Sequence, residues 1–362
     1  MTNDKALGRP KLGTTLYSIT RDFHGRRVSF EDAVRRVAER GIGPGLEVVG
    51  FQSFRGWPFL TDEQIRDFRA LIEETGLEPS SIGANADAGI RRDRLLTNDE
   101  LVAYMETQIV AARKLGFPVV RVQYSLTPDD MERLLPLAER ENVKLGMEIH
   151  AHHSPRHPVV VALRERFEKL GSQHLGFIPD WGCSVRRLPP SLIEANRKRG
   201  LPERFLERIQ ESWFAQHERG PILDDSVLPE MYKKAYGILE EENAGVAAQP
   251  LARNSIGLFG HADPSDWEIV APWTVHMHGK FFEIDQNGDE PAVPVREILE
   301  VFVKAGYNGY ISSEWEGWHW NRTDDPWDML ANHHALERRI LDEIQGEAGL
   351  QGARSDADVS AR

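Results

Sequence analysis

Residues 143–182 read VKLGMEIHAHHSPRHPVVVALRERFEKLGSQHLGFIPDWG, and this stretch decides the fold class. It holds an apolar run, an amphipathic segment that stops at Gly171, and a second apolar run. A helical pattern between two short apolar runs is typical of two parallel strands joined by a crossover helix. The stretch therefore predicts one β–α–β unit, and both of its strands end in residues that can bind a metal or move a proton.

The same alternation occurs eight times along the chain. Ser29 and Thr61 are predicted helix N-caps, and Gly41 and Gly76 are the predicted stops of the same two helices. The final helix is expected over residues 326–344. The eight predicted strands cover residues 11–19, 45–51, 78–87, 118–125, 143–153, 174–182, 273–284 and 307–315.

Eight such units with parallel pairing close into a (β/α)8 TIM barrel, an α/β fold. An open doubly wound sheet is the structural alternative, but it usually has a Gly-rich phosphate-binding loop after its first strand. Residues 17–25 read YSITRDFHG, which is not such a loop. The sequence therefore favours the barrel.

One connection is much longer than the others. A helical insertion at about 185–271 separates strands 6 and 7. Long insertions after barrel strands build or cover the active site, or bind another subunit. We expect residues 1–345 to form a single TIM barrel domain. Residues 346–362 are small and polar, and they are expected to form a flexible C-terminal tail.

The composition narrows the class of protein. The formal net charge is −13, and an acidic chain repels phosphate backbones, so no nucleic-acid partner is expected. Neutral sugars or aryl glycosides fit this charge better. The single cysteine, Cys183, excludes an internal disulfide and a thiolate metal cage. No signal peptide and no membrane-length apolar stretch is present, so we expect a cytoplasmic protein that does not contact a membrane.

Four possible metal ligands stand at the ends of four consecutive predicted strands. Because the C-terminal ends of barrel strands converge on one mouth, their side chains are expected to meet. A single acid there is more often a helix cap or half of an ion pair, but a cluster of carboxylates repels itself unless a cation neutralises it. Three carboxylates and one imidazole favour Mn²⁺, with Mg²⁺ or Co²⁺ as alternatives. The predicted ligands are Glu148, Asp180, His278 and Glu314.

The order Glu, Asp, His, Glu on strands five to eight resembles the xylose-isomerase-like superfamily of TIM barrels, which includes sugar phosphate isomerases and epimerases. The resemblance covers essentially the whole chain outside the insertion. The segment HMHGKFF at 276–282 resembles the family's His-x-Lys motif, whose histidine binds the metal. This match implies His278 as the ligand. His276 shares the same strand face and remains an alternative ligand or a substrate contact.

Two features depart from the isomerases. His150 follows Glu148 at i+2, and the long insertion is not typical of the epimerases. Together with GMEIH at 146–150 and SSEWEGWHW at 312–320, they resemble the alpha subunits of C-glycoside deglycosidases. Those proteins are barrel subunits of a two-subunit lyase. The resemblance implies a small beta subunit as partner, and hence a hetero-oligomer.

The implied chemistry gives the residues specific tasks. A C-glycosidic bond has no leaving oxygen to protonate, so the two-carboxylate glycosidase scheme does not apply. In a 3-oxo-C-glucoside the C2 hydrogen is acidic, and a bound metal would stabilise the enolate. His150 is the expected base for C2, after which the aglycone leaves from C1. The alternative is that His150 orients Glu148. Lys280 and Glu316 are expected to support the reaction.

Several further residues are expected near the substrate. Sugars and flat aglycones pack on aromatic faces, although tryptophans also fill the rim of a barrel. The loop AHHSPRH at 151–157 is either an ordinary surface loop or a second metal site. The expected substrate-binding residues, besides His276 and Glu316, are Trp181, Trp315, Trp318, Asn85, Asp87, Gln123, Tyr124 and Tyr17.

Three other functions remain open at this point. A metal-dependent isomerase or epimerase would act on free ketoses by proton transfer between Glu148 and Glu314, and would not need His150. A barrel endonuclease would need several zinc ions, more histidine ligands and a basic surface, which the acidic charge opposes. A scaffold that binds metal and sugar without turnover would not need His150, the additional histidine beside the predicted metal site.

Overall fold

Eight parallel strands form the central sheet of the molecule. The computed structural model describes residues 7–123 and 126–360, with side chains described up to residue 347. The spatial order of the strands is β6-β5-β4-β3-β2-β1-β8-β7. Their bounds are β1 (Lys11–Thr15), β2 (Gly45–Val49), β3 (Glu78–Gly83), β4 (Val119–Val122), β5 (Lys144–Ile149), β6 (Leu175–Pro179), β7 (Met277–Phe281) and β8 (Tyr310–Trp315).

The two outermost strands of this order lie next to each other. Phe177 forms a parallel bridge with Thr274, and Asp180 forms another with His278. These two bridges join the β6 and β7 sides, so the sheet is a nearly closed barrel. The predicted (β/α)8 TIM barrel is confirmed.

Helices connect the strands on the outside of the barrel. Four of them, α8 to α11, lie in the connection between β6 and β7, where the sequence predicts a helical insertion. The bounds are α1 (Thr20–His24), α2 (Phe30–Glu39), α3 (Gly50–Ser53), α4 (Asp62–Thr75), α5 (Asn98–Leu115), α6 (Pro128–Glu141), α7 (Pro158–Leu170), α8 (Pro190–Lys198), α9 (Glu203–His217), α10 (Leu228–Glu241), α11 (Gln249–Gly257), α12 (Val295–Lys304) and α13 (Pro326–Ser360).

The predicted helix caps are present. The Ser29 hydroxyl accepts the backbone N–H of Asp32 at the start of α2. Thr61 and Gln64 form a complete capping box at the start of α4, which ends at Gly76 with φ +66°. Capping satisfies backbone groups that the helix itself leaves without partners. These local rules therefore set where the crossover helices begin and end.

The strands are shorter than predicted at the mouth. Tyr17 lies in the 3-10 turn Leu16–Ile19 and not in β1, and Asn85 lies beyond the end of β3. Gln108 of α5 explains the second case, because its side-chain amide bonds both the N–H (3.1 Å) and the C=O (2.9 Å) of Asn85. A side chain thus takes the place of a neighbouring strand. Apolar patterning alone cannot indicate that replacement.

The last helix packs on the barrel along part of its length. Leu336, Ile340, Leu341 and Ile344 of α13 are buried. The helical backbone continues to Ser360, and the expectation of a flexible tail over 346–362 stays a prediction, as does the single domain over 1–345. Among the helices of the described part of the chain, none is both long and apolar enough to cross a membrane.

Candidate metal centre and active site

The four predicted metal ligands meet at the mouth of the barrel. Glu148 lies in β5, Asp180 directly follows β6, His278 lies in β7 and Glu314 in β8, and all four are buried. The ligand atoms of the first three lie within 4.8 Å of one another. Glu314 Oε2 lies 3.7 Å from His278 Nδ1. Parallel strands that end at the same rim therefore bring the four side chains together.

His278 lies between two carboxylates. Its Nδ1 is 2.8 Å from Glu148 Oε1, and its Nε2 is 2.9 Å from Glu47 Oε1. Burial alone would lower the pKa of His278, but Glu47, Glu314 and Glu148 outweigh it and hold this pKa well above its usual value. The carboxylate of Glu47 also fixes the orientation of the ring, as carboxylates do behind metal-binding histidines.

His276 contacts the opposite side of Glu47. Its Nε2 lies 3.2 Å from Glu47 Oε2 and 2.9 Å from Ser312 Oγ. It directly precedes β7, whereas the sequence placed it within the strand. Its ring can share a cation with Glu47 and His278, but Glu148 and Asp180 group with His278 alone. His278, and not His276, therefore lies next to the carboxylates of the mouth. The assignment of His278 as the metal ligand stays a prediction.

Lys280 is a buried cation among acids. Its Nζ lies 2.5 Å from Asp180 Oδ2 and 3.3 Å from Glu316 Oε1. Burial lowers the pKa of Lys280, but Asp180, Glu316 and Glu314 outweigh it and raise this pKa well above its usual value. The lysine is therefore charged and partly balances the acidic cluster.

His150 lies beside the acidic cluster and faces the charged Lys280. Its Nδ1 lies 2.7 Å from the carbonyl oxygen of Ala151. Because a carbonyl can only accept, Nδ1 carries the hydrogen and Nε2 of the neutral ring is left as the basic atom. That Nε2 is 3.1 Å from Lys280 Nζ and 3.7 Å from Asp180 Oδ2. The side chain is 31% exposed, so the ring is accessible from solvent.

The two predicted glutamate ligands differ in their surroundings. Burial raises the pKa of both, but the Arg121 guanidinium, 3.7 Å from Glu148 Oε2, acts with His278 to hold the pKa of Glu148 below its usual value. At Glu314, Lys280 and His278 offset burial only in part, and the pKa is raised to about 8. In the absence of a cation, burial therefore disfavours the charged form of Glu314 more than that of Glu148.

The donor set fits a divalent cation. Three ligand atoms from two carboxylates and one imidazole already lie within 4.8 Å. Glu314 Oε2 is buried and accepts no hydrogen bond from the described residues. Buried carboxylate oxygens without donors are costly unless a cation is bound. An oxygen-rich set with one imidazole suits Mn²⁺, Mg²⁺ or Co²⁺.

The aromatic residues predicted near the substrate divide into two groups. Trp181 and Trp315 are fully buried, and Trp315 Nε1 donates to the carbonyl of Phe282 at 2.9 Å. Trp315 ends β8, and Trp181 lies in the 3-10 turn Trp181–Cys183 after β6. Tyr17 and Trp318 are half-buried and pack edge to face, with ring centroids 5.6 Å apart. A role in substrate binding stays a prediction for all four.

The polar residues predicted near the substrate lie past the ends of β3 and β4. Asn85 is half-buried, whereas Asp87 and Gln123 are exposed. Tyr124 lies outside the described residues. None of these residues reaches the buried acids through a hydrogen bond within the described part of the chain. Their contact with substrate stays a prediction.

Sequence reasoning missed Glu47 and Arg121. Both are buried, Glu47 in β2 and Arg121 in β4, and they orient His278 and Glu148. A signal was present, because each is the only charged residue in a short apolar strand, GLEVV at 45–49 and VVRV at 119–122. A charge within a strand that helices cover is costly unless a partner exists, so such a residue indicates a buried polar site.

Comparisons with known proteins agree with this geometry. Residues 34–187 match the family model of the xylose isomerase-like TIM barrel. The solved structure of an L-ribulose 3-epimerase shares the fold, with a TM-score of 0.56 at 14% identity over 96% of this chain and 99% of that one.

Two relatives are much more similar in sequence. The 3'-dehydrocarminate deglycosidase alpha subunit of a Microbacterium species is 52% identical over 346 residues, which is 96% of this chain and 99% of the relative. The C-glycoside deglycosidase alpha subunit of Microbacterium trichothecenolyticum is 48% identical over 92% of this chain and 90% of its own length. The chain therefore belongs to the family of C-glycoside deglycosidase alpha subunits.

Proposed function

We propose that this chain is the catalytic subunit of a metal-dependent lyase that cleaves 3-oxo-C-glucosides. The observation that carries the proposal is the position of His150, whose basic nitrogen lies beside the acidic cluster, 3.1 Å from Lys280 Nζ and 3.7 Å from Asp180 Oδ2. The names of the relatives support the substrate class. One relative is a C-glycoside deglycosidase alpha subunit, and the other is a 3'-dehydrocarminate deglycosidase alpha subunit. The same names support a beta subunit as partner.

Glu148, Asp180, His278 and Glu314 would hold the metal, with Mn²⁺ as the preferred ion and Mg²⁺ or Co²⁺ as alternatives. When bound, the ion supplies a Lewis acid that polarises the 3-oxo group of the sugar and makes the C2 hydrogen more acidic. Glu47 holds His278 in place through Nε2. Arg121 keeps Glu148 ionised, which prepares this carboxylate for a cation.

His150 takes the proton from C2. The Ala151 carbonyl holds Nδ1–H, so the ring enters the reaction with its lone pair on Nε2. The electrons of the C2–H bond form a C1=C2 double bond, and the bond from C1 to the aglycone carbon breaks. The aglycone keeps that electron pair and takes up a proton. Lys280, 3.1 Å from Nε2, is charged and can donate a proton to the aglycone carbon, after which the protonated His150 returns a proton to the neutral amine. Glu316 lies 3.3 Å from the same Nζ.

The insertion between β6 and β7 is the expected place of contact with a beta subunit. Its helices bury apolar residues against each other and the barrel, but Phe214, Leu223, Val227 and Val246 remain exposed. Long insertions at this end of a barrel commonly contact partner subunits. The proposal therefore includes a hetero-oligomer in which the alpha chain carries the chemistry.

An isomerase or epimerase acting on free ketoses is the second proposed function. It is favoured by the positions of Glu148 and Glu314, whose carboxylate oxygens lie 2.8 Å and 3.7 Å from Nδ1 of His278, so that two carboxylates meet at one point of the mouth. In that reaction His150 takes no part.

An activity assay distinguishes the two functions. The purified chain is loaded with Mn²⁺ and given a 3-oxo-C-glucoside and a free ketose in parallel, with and without a candidate beta subunit. Release of aglycone supports the lyase, and dependence on the added subunit supports the hetero-oligomer. Interconversion of the ketose without aglycone release contradicts the proposal.

The variant His150→Ala tests the assigned base. Loss of a general base lowers the rate about 10²- to 10⁴-fold, while the metal content stays at the wild-type level. His319→Ala is the matched control, because this imidazole lies near Glu316 but is not assigned a proton transfer. An unchanged rate of aglycone release in His150→Ala rejects His150 as the base.

A further inference from the structure

A second cluster of possible metal ligands joins the barrel to the insertion. His152 and His153 lie in the loop between β5 and α7, and Asp225 begins the 3-10 turn Asp225–Val227 between α9 and α10. His152 Nε2 lies 2.8 Å from Asp225 Oδ1, and His153 Nε2 lies 3.8 Å from Asp225 Oδ2. None of the three residues belongs to the predicted metal centre at the mouth.

The ligand atoms of the three residues are close enough for one ion. They all lie within 4.8 Å of one another, and the centroids of the two imidazole rings are 4.5 Å apart. The side chains are partly covered, with exposed fractions of 21% for His152, 13% for His153 and 51% for Asp225. One side of the cluster therefore remains open to a water ligand and to the entry of an ion.

A third histidine lies beside the cluster. The Nδ1 of His157 accepts the backbone N–H of Val159 at 3.3 Å, so its Nε2 carries the hydrogen. That Nε2 lies 3.3 Å from Asp225 Oδ1, and the side chain is almost fully buried. His157 therefore closes one side of the cluster, next to the carboxylate.

The charge state of the cluster also suits a cation. Asp225 is the carboxylate of the cluster, and both imidazoles face it. Arg156, the cation of this loop, lies 2.5 Å from Asp266 and is therefore paired outside the cluster.

We propose that His152, His153 and Asp225 form a second metal site, which binds a divalent transition metal such as Zn²⁺ and ties the insertion to the loop after β5. Two imidazole nitrogens, one carboxylate oxygen and a water make the four-coordinate set that Zn²⁺ prefers. The ion would link segments 73 residues apart in the sequence. The mouth, with three carboxylates and one imidazole, suits a harder cation.

The test counts zinc in the full-length chain. Wild type, Asp225→Asn and His152→Gln are equilibrated with a buffered Zn²⁺ solution, dialysed, and analysed for zinc per chain. Both variants should hold one zinc fewer than the wild type, whatever the mouth binds. His24→Gln is the control, because this exposed histidine of α1 is far from the cluster in sequence and should leave the count unchanged. Equal counts in wild type and Asp225→Asn overturn the proposal.

Substitution by Co²⁺ gives an independent readout. Four-coordinate Co²⁺ with nitrogen and oxygen ligands absorbs visible light strongly, so the wild type should absorb more than Asp225→Asn, in which only the mouth can still bind Co²⁺. Zn²⁺ should also raise the unfolding temperature of the wild type more than that of the variant, because an ion that binds only the folded chain stabilises it. Identical spectra and identical zinc-dependent shifts reject the site. Neither measurement depends on turnover. The second metal site can therefore be rejected while the proposed lyase activity is confirmed, and the reverse.

Discussion

At the scale of single residues, the two nitrogens of His278 have different tasks. Nε2 faces Glu47 at 2.9 Å, which leaves Nδ1 directed at Glu148, 2.8 Å away. A carboxylate behind an imidazole fixes the tautomer and makes the other nitrogen a better ligand. Glu47 also lies 3.2 Å from Nε2 of His276, but Glu148 and Asp180 group with His278 and not with His276.

Replacement of each histidine by alanine separates the two residues. His278→Ala should lose Mn²⁺ binding, because it removes the imidazole that faces the carboxylates. His276→Ala should keep Mn²⁺, with some loss of stability from the buried cavity. The measurement is Mn²⁺ per chain after dialysis. Full occupancy in His278→Ala together with loss in His276→Ala would move the ligand role to His276.

Glu47 is expected to act on the metal through His278. Glu47→Gln keeps the shape of the side chain but removes its charge, and loss of such a supporting carboxylate typically weakens metal binding about 10- to 100-fold. Titration of the metal-free chain with Mn²⁺ measures the dissociation constant. Glu63→Gln, an exposed position at the start of α4, is the control and should bind as the wild type does. Unchanged affinity in Glu47→Gln would mean that His278 is oriented by other contacts.

The sequence predicted some of these residues and missed others for a physical reason. Glu148, Asp180, His278 and Glu314 end apolar runs at the same point of the β–α repeat, so the fold class alone predicts that they meet. Glu47 lies inside an apolar run and meets His278 from 231 positions away. That contact depends on the closure of the barrel and on the register between its strands. Local sequence patterns do not encode either of these.

At the scale of secondary-structure elements, the residues that terminate strands are as informative as the strands. Gln108 from α5 bonds the backbone of Asn85 and also accepts the indole N–H of Trp57 at 2.9 Å. One buried amide thus ends β3 and attaches the loop after β2. The helix caps were predictable because they depend on residues three positions apart, whereas Gln108 acts across 23 positions.

The contact of α13 with β8 contains a buried acid. Glu337 Oε2 accepts a hydrogen bond from Ser313 Oγ at 2.9 Å, and Ser313 Oγ lies 2.8 Å from His333 Nδ1. Burial raises the pKa of Glu337 to about 8, and neither Ser313 nor Arg338 offsets it. At neutral pH, Glu337 is therefore protonated in the interface between α13 and β8.

This burial makes stability depend on pH. The folded pKa of Glu337 lies above its unfolded value, so its contribution is fully present below about pH 4.5 and is lost as the pH rises toward 8. Glu337→Gln should remove that part of the decline, so its free energy of unfolding should fall less than that of the wild type between about pH 5 and pH 8. Asp342→Asn, exposed on the same helix, is the control. Parallel stability curves for wild type and Glu337→Gln would contradict the raised pKa.

At the scale of the whole molecule, the segment before β1 is bonded to the last two helices. The backbone N–H of Gly8 donates to the carbonyl of Val303 at 2.8 Å, and Gln345 Nε2 donates to the carbonyl of Gly8 at 2.8 Å. The segment that leads into β1 is thus bonded to α12 and α13. The strand β1 itself pairs in parallel with β8, as a closed barrel requires.

Two truncations measure where the barrel ends. A chain that stops at residue 347 keeps the buried Ile340, Leu341 and Ile344 and the bond from Gln345 to Gly8, so its unfolding temperature should equal that of the full chain. A chain that stops at residue 339 loses all three apolar side chains, each typically worth about 2–5 kcal/mol in a packed core, and should be strongly destabilised. Thermal unfolding followed by circular dichroism makes the comparison. A large loss of stability already on removal of residues 348–362 would show that this segment is part of the barrel domain, because the remaining chain would then lack contacts that the full chain uses.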